Sequence, residues 1–171
     1  MHRAGVHVVF FVMMVAVIAC GTSDSPPAQD QGPNDSNRTV IQFDSARAAT
    51  FGADDYGMRK YVMAFLRRGP NSGTFDSARA AQLQMAHLEN IGRMAEEGTL
   101  VLAGPFFGDG DLRGIYVFAV DNIAEAEALT NTDPAIQAGS LEMDLVEWYA
   151  SAGLMGLYDM HMSIAKKNVT D

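Results

Sequence analysis

Residues 76–105 constrain the fold of this chain more than any other stretch of its sequence. The first part places apolar residues at helical spacing, and these are Ala81, Met85, Leu88, Ile91 and Ala95. At about 100° per residue they form one stripe, and the opposite side carries Gln82, Glu89, Asn90, Arg93, Glu96 and Glu97. Gly98 ends the helix, residues 99–103 read as a strand, and Gly104 with Pro105 forms a turn. The stretch therefore predicts an amphipathic helix followed by a strand.

One polar side chain interrupts the apolar stripe of this helix. His87 is flanked by Leu83 and Ile91, four residues before and after it, so its ring points towards the interior. An imidazole in a partly apolar pocket exchanges a proton near neutral pH when a carboxylate orients it. The same position suits a core histidine that bonds a backbone carbonyl, and both interpretations stay open at this point.

The remaining elements follow in a defined order. Apolar runs and alternation predict strands at residues 60–66, 99–103, 113–120 and 141–149. Two shorter helices are predicted at residues 123–129 and 135–137, each after a capping residue. The resulting order, β-α-β-β-α-β, is that of the split βαβ unit. The predicted fold class is therefore α+β and ferredoxin-like.

Both faces of this predicted sheet are apolar, because the first and third strands carry large apolar residues on each side. The helices cover one face only, so the other face needs a second covering layer. A second copy of the same sheet is the economical solution. We therefore expect a homodimer whose sheets pack face to face as a dimeric α+β barrel. The alternative is a monomer that binds another protein through the bare sheet.

The N-terminus has the pattern of an exported chain. Residues 1–19 contain Arg3 and then an apolar run that is short for a membrane span. The run ends at Ala19 before Cys20, which resembles a bacterial lipoprotein signal whose cysteine is lipidated and becomes the new N-terminus. Cys20 is the single cysteine of the chain, and the alternative is an ordinary thiol in a hydrophobic segment. The absence of Asp after Cys20 favours the outer membrane.

Composition then divides the chain into four parts. We expect a lipoprotein signal peptide at residues 1–19, and the lipidated cysteine with a disordered tether at residues 20–57. The folded domain is predicted at residues 58–151, and an apolar tail that docks on it at residues 152–171.

Charge and motifs narrow the classes of function. A formal net charge of −9 argues against nucleic acid as a partner, because phosphate contacts need clusters of Lys and Arg. Contact with a membrane is expected through the lipid anchor alone.

Thioether and imidazole groups in the tail suit Cu(I), but docking of an apolar tail explains them more simply, so no metal is predicted. The sequence lacks a P-loop and a dinucleotide-binding glycine pattern, and no cofactor is predicted.

Several motifs taken together resemble the YCII-related domain family. They are HLENIGRMAEEGTLVLAGPF, RGIYVFAV, the Asp133-Pro134 turn and Trp148, in that order within residues 59–151. The resemblance implies a small dimeric α+β barrel. It also implies that a helix histidine and the aspartate of a D-P turn meet in a pocket as catalytic residues, which map onto His87 and Asp133. One branch of the family resembles a dehydrochlorinase of a substituted hydroquinone, and related barrels include muconolactone isomerases.

These arguments give a short set of candidate site residues. His87 and Asp133 are the candidate catalytic pair, with Asp133 fixing the tautomer of the imidazole; the alternative is that Asp133 only caps residues 135–137. Arg113 is a candidate for binding a carboxylate or phenolate, or else a solvated strand end. Gly104 and Pro105 are candidates for lining the pocket, although turn formation alone explains them.

We therefore predict an envelope-anchored enzyme of lyase, isomerase or dehalogenase type that acts on a small substrate, cyclic substrates included. The alternative is a non-catalytic, lipid-anchored module that binds a small ligand or a partner protein. The two hypotheses differ in one respect. Catalysis requires His87 and Asp133 within hydrogen-bond reach in an accessible pocket.

Overall fold

The computed structural model describes residues 41–170. The predicted signal peptide at residues 1–19, the lipidation of Cys20 and most of the predicted tether fall outside the described residues. Within residues 41–170, no helix combines the length and apolar character that crossing a membrane requires.

Helices and strands alternate along the described range. The helices are α1 (Ser45–Thr50), α2 (Ser77–Glu96), α3 (Ile123–Thr130), α4 (Pro134–Gln137) and α5 (Leu157–Ile164). The strands are β1 (Met58–Arg68), β2 (Leu100–Pro105), β3 (Leu112–Phe118) and β4 (Leu141–Ser151). A 3₁₀ turn, Ala152–Gly156, joins β4 to α5. Each element predicted between residues 58 and 151 is present, with its ends shifted by a residue or two.

The four strands form one antiparallel sheet in the order β2-β3-β1-β4. β1 lies inside the sheet and pairs with β4 along its whole length, from Met58↔Ser151 to Arg68↔Leu141. β3 pairs with the other side of β1. This strand order, with helices between β1 and β2 and between β3 and β4, is the ferredoxin-like arrangement. The predicted α+β, ferredoxin-like fold is confirmed.

The predicted turn at Gly104 and Pro105 is wrong. Both residues belong to β2, where Gly104 pairs with Ile115 and Pro105 pairs with Gly114 of β3. The sheet tolerates this proline because β2 is an edge strand, so the missing N–H faces away from the ladder. An added Cβ on Gly114 would stand 2.7 Å from the Gly104 oxygen, which explains a glycine in the partner strand. The chain reverses later, in residues 106–111.

The buried face of α2 also differs from the prediction. The helix begins after Asp76, whose Oδ1 accepts from the Arg79 N–H at 2.8 Å. Its buried residues are Leu83, His87, Asn90 and Met94, whereas Ala81 is exposed and Met85 is 45% exposed. The period is helical as predicted, but the phase is rotated, because the buried face includes two polar residues that find partners inside the protein.

The sheet has an apolar layer on each face. On the helix side, the core contains Val62, Leu66, Met94, Tyr116 and Phe118. On the other side, Tyr61, Val117 and Ala150 pack with Leu154 and Met155 of the 3₁₀ turn. The C-terminal segment thus docks on the domain and covers part of the second face.

The second face is not fully covered in this chain. The register places Val146 opposite Met63 and Trp148 opposite Tyr61, and these two β4 side chains are 51% and 38% exposed. Large exposed apolar side chains on one sheet face are typical of an interface.

The range predicted as a tether contains ordered structure at its C-terminal end. Helix α1 begins after Asp44, whose Oδ1 accepts from the Arg47 N–H at 2.9 Å. The segment after it is fastened to the domain, because Arg59 Nη1 donates to the Phe51 carbonyl at 3.0 Å. The Asp54 carboxylate accepts from the Tyr149 hydroxyl and from the Met58 N–H. Polar anchors of this kind lack an apolar period, which is why the sequence pattern did not indicate them.

Candidate active site

The structure brings His87 and Asp133 together. His87 Nδ1 lies 2.7 Å from Asp133 Oδ2, although 46 residues separate them in the sequence. The two side chains are 9% and 1% exposed. An ionised carboxylate only accepts hydrogen bonds, so this contact places the imidazole proton on Nδ1 and leaves the lone pair on Nε2. The pair therefore has the arrangement of an oriented general base.

Asp133 holds its position through a second, local contact. It is the N-cap of α4, and its Oδ1 accepts from the Ala135 N–H at 2.8 Å. Pro134 follows at the first helical position, where its fixed φ suits the start of a helix. The cap and the histidine contact were alternatives in the sequence. The structure shows both, one on each carboxylate oxygen.

Tyr116 is a third member of this cluster that the sequence analysis missed. Its hydroxyl lies 3.2 Å from His87 Nε2 and 3.4 Å from Nδ1. Because these two distances are nearly equal, the hydroxyl lies beside the ring between the two nitrogens and off the lone-pair axis of Nε2. Burial, together with the negative charge of Asp133, raises the pKa of Tyr116 well above its ordinary value, so the phenol is a neutral donor. Its signal in the sequence was a polar-tipped residue inside the apolar strand β3.

A second polar cluster fastens α2 to the turn that carries Asp133. Asn90 Oδ1 accepts from Arg93 Nη2 at 2.8 Å and lies 3.1 Å from Thr132 Oγ1. Arg93 Nη2 also contacts Thr132 Oγ1 at 3.0 Å. These bonds hold the residue before Asp133 against the helix that carries His87. Among the described residues, the buried Nδ2 of Asn90 has no hydrogen-bond partner.

His87 borders a cavity of about 260 Å³, whereas Asp133 lies buried behind it. Its walls are largely apolar and include Leu66, Leu88, Ile91, Ala103, Leu141 and Val169, with His87 and Tyr116 on one side. Arg113, Gly104 and Pro105 also line it, so all the sequence candidates for substrate binding border one space. Their binding role stays a prediction. Val169 comes from the C-terminal tail, a contribution that the sequence did not indicate.

Arg113 is the cationic group of this cavity. Its Nη1 donates to the Gly108 carbonyl at 3.0 Å and reaches the Gly110 carbonyl at 3.4 Å. The glycine-rich loop before β3 therefore holds the guanidinium in place. Within the part of the chain that the structure describes, Arg113 forms no ion pair with an acidic side chain. Its charge is available to an anionic ligand.

The residues at the site do not form a metal centre. Across residues 41–170, no group of three or more His, Cys, Asp or Glu side chains is placed to hold a metal ion. His87 and Asp133 are two potential ligands, and both are already engaged in hydrogen bonds.

Comparisons with known proteins identify the family of this chain. The sequence model of the YCII-related domain matches residues 60–149. The uncharacterized protein YjpA of Bacillus subtilis (strain 168) is 34% identical over 62 residues, which span 36% of this chain and 71% of that protein.

Among solved structures, the chain is similar to the 5-chloro-2-hydroxyhydroquinone dehydrochlorinase of Burkholderia phenoliruptrix AC1100 in complex with 2,5-dihydroxybenzoquinone. The TM-score is 0.39 and the sequence identity 16%, over 53% of this chain and 93% of that chain. The match of the domain model to just over half of the sequence, together with the Bacillus relative, identifies this chain as a member of the YCII-related domain family.

Proposed function

We propose that this protein is an enzyme that moves a proton on carbon in a small anionic substrate, with His87 as general base. The observation that carries the proposal is the 2.7 Å contact between His87 Nδ1 and Asp133 Oδ2 beside a cavity that a ligand can occupy. A carboxylate that fixes the tautomer and stabilises the imidazolium makes the opposite nitrogen a competent base.

The proposed step uses Nε2. A C–H bond of the substrate breaks, its proton goes to Nε2, and the electron pair moves into the substrate. In a lyase or dehalogenase, that pair forms a C=C bond while the leaving group departs with its own pair. In an isomerase, the imidazolium returns the proton to another carbon. Asp133 accepts from Nδ1 throughout, so the positive charge on the ring is balanced by a buried carboxylate.

Tyr116 and Arg113 would complete the site. In the ligand-free arrangement the hydroxyl lies 3.2 Å from Nε2, so a substrate that approaches Nε2 comes within its reach. The neutral hydroxyl is then free to donate to an oxygen on which charge develops. The guanidinium of Arg113 would bind the carboxylate or phenolate of the substrate. The apolar walls favour a carbon skeleton without further charges.

The test is a search for C–H exchange in D₂O. Small carboxylates and phenols with acidic C–H bonds are incubated with the full chain, and proton NMR follows the exchange of those hydrogens. We expect exchange of at least one compound to be catalysed, and to be lost in His87→Gln. Glu89→Gln, an exposed change on the same helix, is the matched control and should behave as the parent.

Two results would overturn the enzyme proposal. One is the absence of exchange across the whole panel, and the other is exchange that His87→Gln leaves intact. Binding of the same anions without exchange would favour the non-catalytic, ligand-binding module instead.

We also propose that the protein is anchored to the cell envelope through a lipid on Cys20. The support is the short apolar leader at residues 1–19 and the position of the single cysteine directly after it. Metabolic labelling with an alkyne analogue of palmitate should label the parent chain and not Cys20→Ser. Equal labelling of both would contradict the anchor.

We further propose a homodimer formed through the second face of the sheet. The support is the exposure of Val146 and Trp148 on that face, where large apolar side chains favour a second apolar surface. Light scattering should give the mass of two chains, and Val146→Asp should reduce it to that of one. Glu147→Gln, beside it on β4, is the control. A parent chain with the mass of one copy would contradict the dimer.

A further inference from the structure

A second, larger cavity lies beside the candidate active site. Its volume is about 440 Å³, and it forms a groove between α2, β2 and the C-terminal segment that contains α5. Apolar side chains that line it include Ile91, Ala95, Leu102, Leu157, Met162 and Ile164. The charged side chains along it are Glu96 and Lys167, together with His161 when protonated. Unlike the His87 cavity, it has no buried acid-base pair.

The groove and the His87 cavity are neighbours that share three lining side chains. Ile91, Ala103 and Val169 line both of them. Ile91 belongs to α2 and Ala103 to β2, and Val169 of the tail is 65% exposed. A ligand with its polar end in the smaller cavity would therefore need only to pass these three side chains to continue into the groove.

Gly92 indicates that the groove is kept open. It lies in the interior of α2, where glycine destabilises a helix relative to alanine. Its φ is not in the left-handed region, and an added Cβ would meet no atom within 4 Å. Neither backbone conformation nor close packing thus explains this glycine. A glycine here leaves room in the wall of the groove that it lines.

We propose that this groove binds the hydrocarbon arm of the substrate, whose anionic end lies near Arg113 and His87. The inference rests on the proposed function for the position of the anionic end. The substrate class is then an amphipathic acid: one carboxylate or phenolate with an acidic C–H bond near it, and an aliphatic arm of several carbons. The exposed side chains of Met160 and Met162, at 62% and 52%, border the groove that such an arm would fill.

Straight-chain carboxylates test the proposal without requiring turnover. Butanoate, hexanoate, octanoate and decanoate are titrated into the full chain by calorimetry, below their micelle concentrations. We expect the affinity to rise about fourfold for each methylene that leaves water, once the chain passes Ile91 and enters the groove. Equal affinities across the series would overturn the inference.

Gly92 supplies the decisive variant and its control. Gly92→Leu adds a strong helix former and fills the groove, so the gain with chain length should disappear while butanoate binds as before. Gly92→Ala also stabilises the helix but leaves most of the space, so the gain should remain. A gain that survives in Gly92→Leu would show that the arm binds elsewhere.

NMR of labelled methionine methyl groups locates the arm directly. Decanoate should shift the Met160 and Met162 signals, and butanoate should not. In His87→Gln these shifts should persist, so loss of C–H exchange there tests the proposed function and not the groove. Self-association that Gly92→Leu abolishes, without decanoate binding, would assign the groove to a second copy and overturn the proposal.

Discussion

Helices α2 and α4 both begin after an aspartate, and each aspartate caps its helix by accepting a backbone N–H. Asp76 Oδ1 accepts from the Arg79 N–H at 2.8 Å, and Asp133 Oδ1 accepts from the Ala135 N–H at 2.8 Å. Asp76 is exposed, whereas Asp133 is fully buried and places its other oxygen against His87. Local sequence decides that an aspartate caps a helix. Burial decides whether the second carboxylate oxygen faces solvent or bonds another side chain.

The largest difference between the two caps is expected in catalysis. Asparagine caps a helix as well as aspartate does, so Asp133→Asn should keep α4. Its amide would donate towards His87 Nδ1, which favours the tautomer with the proton on Nε2 and removes the base. We expect the C–H exchange rate to fall roughly 10⁴-fold, as tautomer reversal does in a triad. Asp76→Asn should leave the rate unchanged, and a loss of less than about tenfold in Asp133→Asn would contradict this role.

The two caps should also differ in their contribution to stability. Asp133→Ala removes the cap of α4 and leaves a buried imidazole N–H without its partner. We expect the free energy of unfolding to fall by about 3 kcal/mol. Asp76→Ala removes a cap at the surface, and the loss should be about 1 kcal/mol. Urea denaturation of both variants measures the difference, and equal losses would mean that the buried contact adds nothing to the cap.

Alkaline pH sharpens the comparison, because only the buried aspartate faces a buried phenol. The pKa of Tyr116 is raised from 10.0 by burial and by Asp133, so above pH 10 the unfolded chain releases a proton that the folded chain keeps. Stability should therefore fall as pH rises, by up to about 1.4 kcal/mol per pH unit from this residue.

Tyr116→Phe isolates that contribution. Tyr61 and Tyr149 also have raised pKa values, so the parent and the variant must be compared across the same pH range. The variant should lose less stability above pH 10 than the parent does. Parallel curves would show that Tyr116 ionises alike in the folded and unfolded chains.

The smallest expected effect on stability concerns two threonines that lie shortly before the two capping aspartates. Thr132→Val removes the hydroxyl that contacts Asn90 and Arg93, and we expect a loss of about 1 kcal/mol. Thr74 lies two residues before Asp76, and its hydroxyl donates to the exposed Asn71 carbonyl at 2.7 Å. Thr74→Val should therefore cost less than about 0.5 kcal/mol. Thermal unfolding of both variants provides the measurement, and the reverse order would contradict the argument.

The elements of this fold were predictable because each leaves a local pattern. Alternation and apolar runs indicated the strands, and capping residues with Gly98 marked the ends of α2. The phase of α2 was not predictable, because one of the hydrogen-bond partners of the buried Asn90 is Thr132, which lies 42 positions away in the sequence. An amphipathic pattern assigns such a polar residue to the surface.

The site was predictable to a similar, partial extent. The family resemblance pointed to His87 and Asp133, since neither periodicity nor spacing shows that side chains 46 residues apart will meet. Tyr116 and Val169 were missed because a tyrosine in an apolar strand and a valine in a tail have ordinary structural explanations. Only the three-dimensional arrangement distinguishes them from residues that merely pack.

The pairing of β1 with β4 has a consequence for how the chain acquires this structure during synthesis. The hydroxyl of Tyr61 bonds the Ser151 carbonyl across 90 positions of sequence, so β1 cannot be completed until the end of the domain has been made. Contacts this distant slow folding, because a long loop must close first. A growing chain would hold its first strand unpaired on one edge until Leu141–Ser151 has been made, and chaperones can engage the strand during that interval.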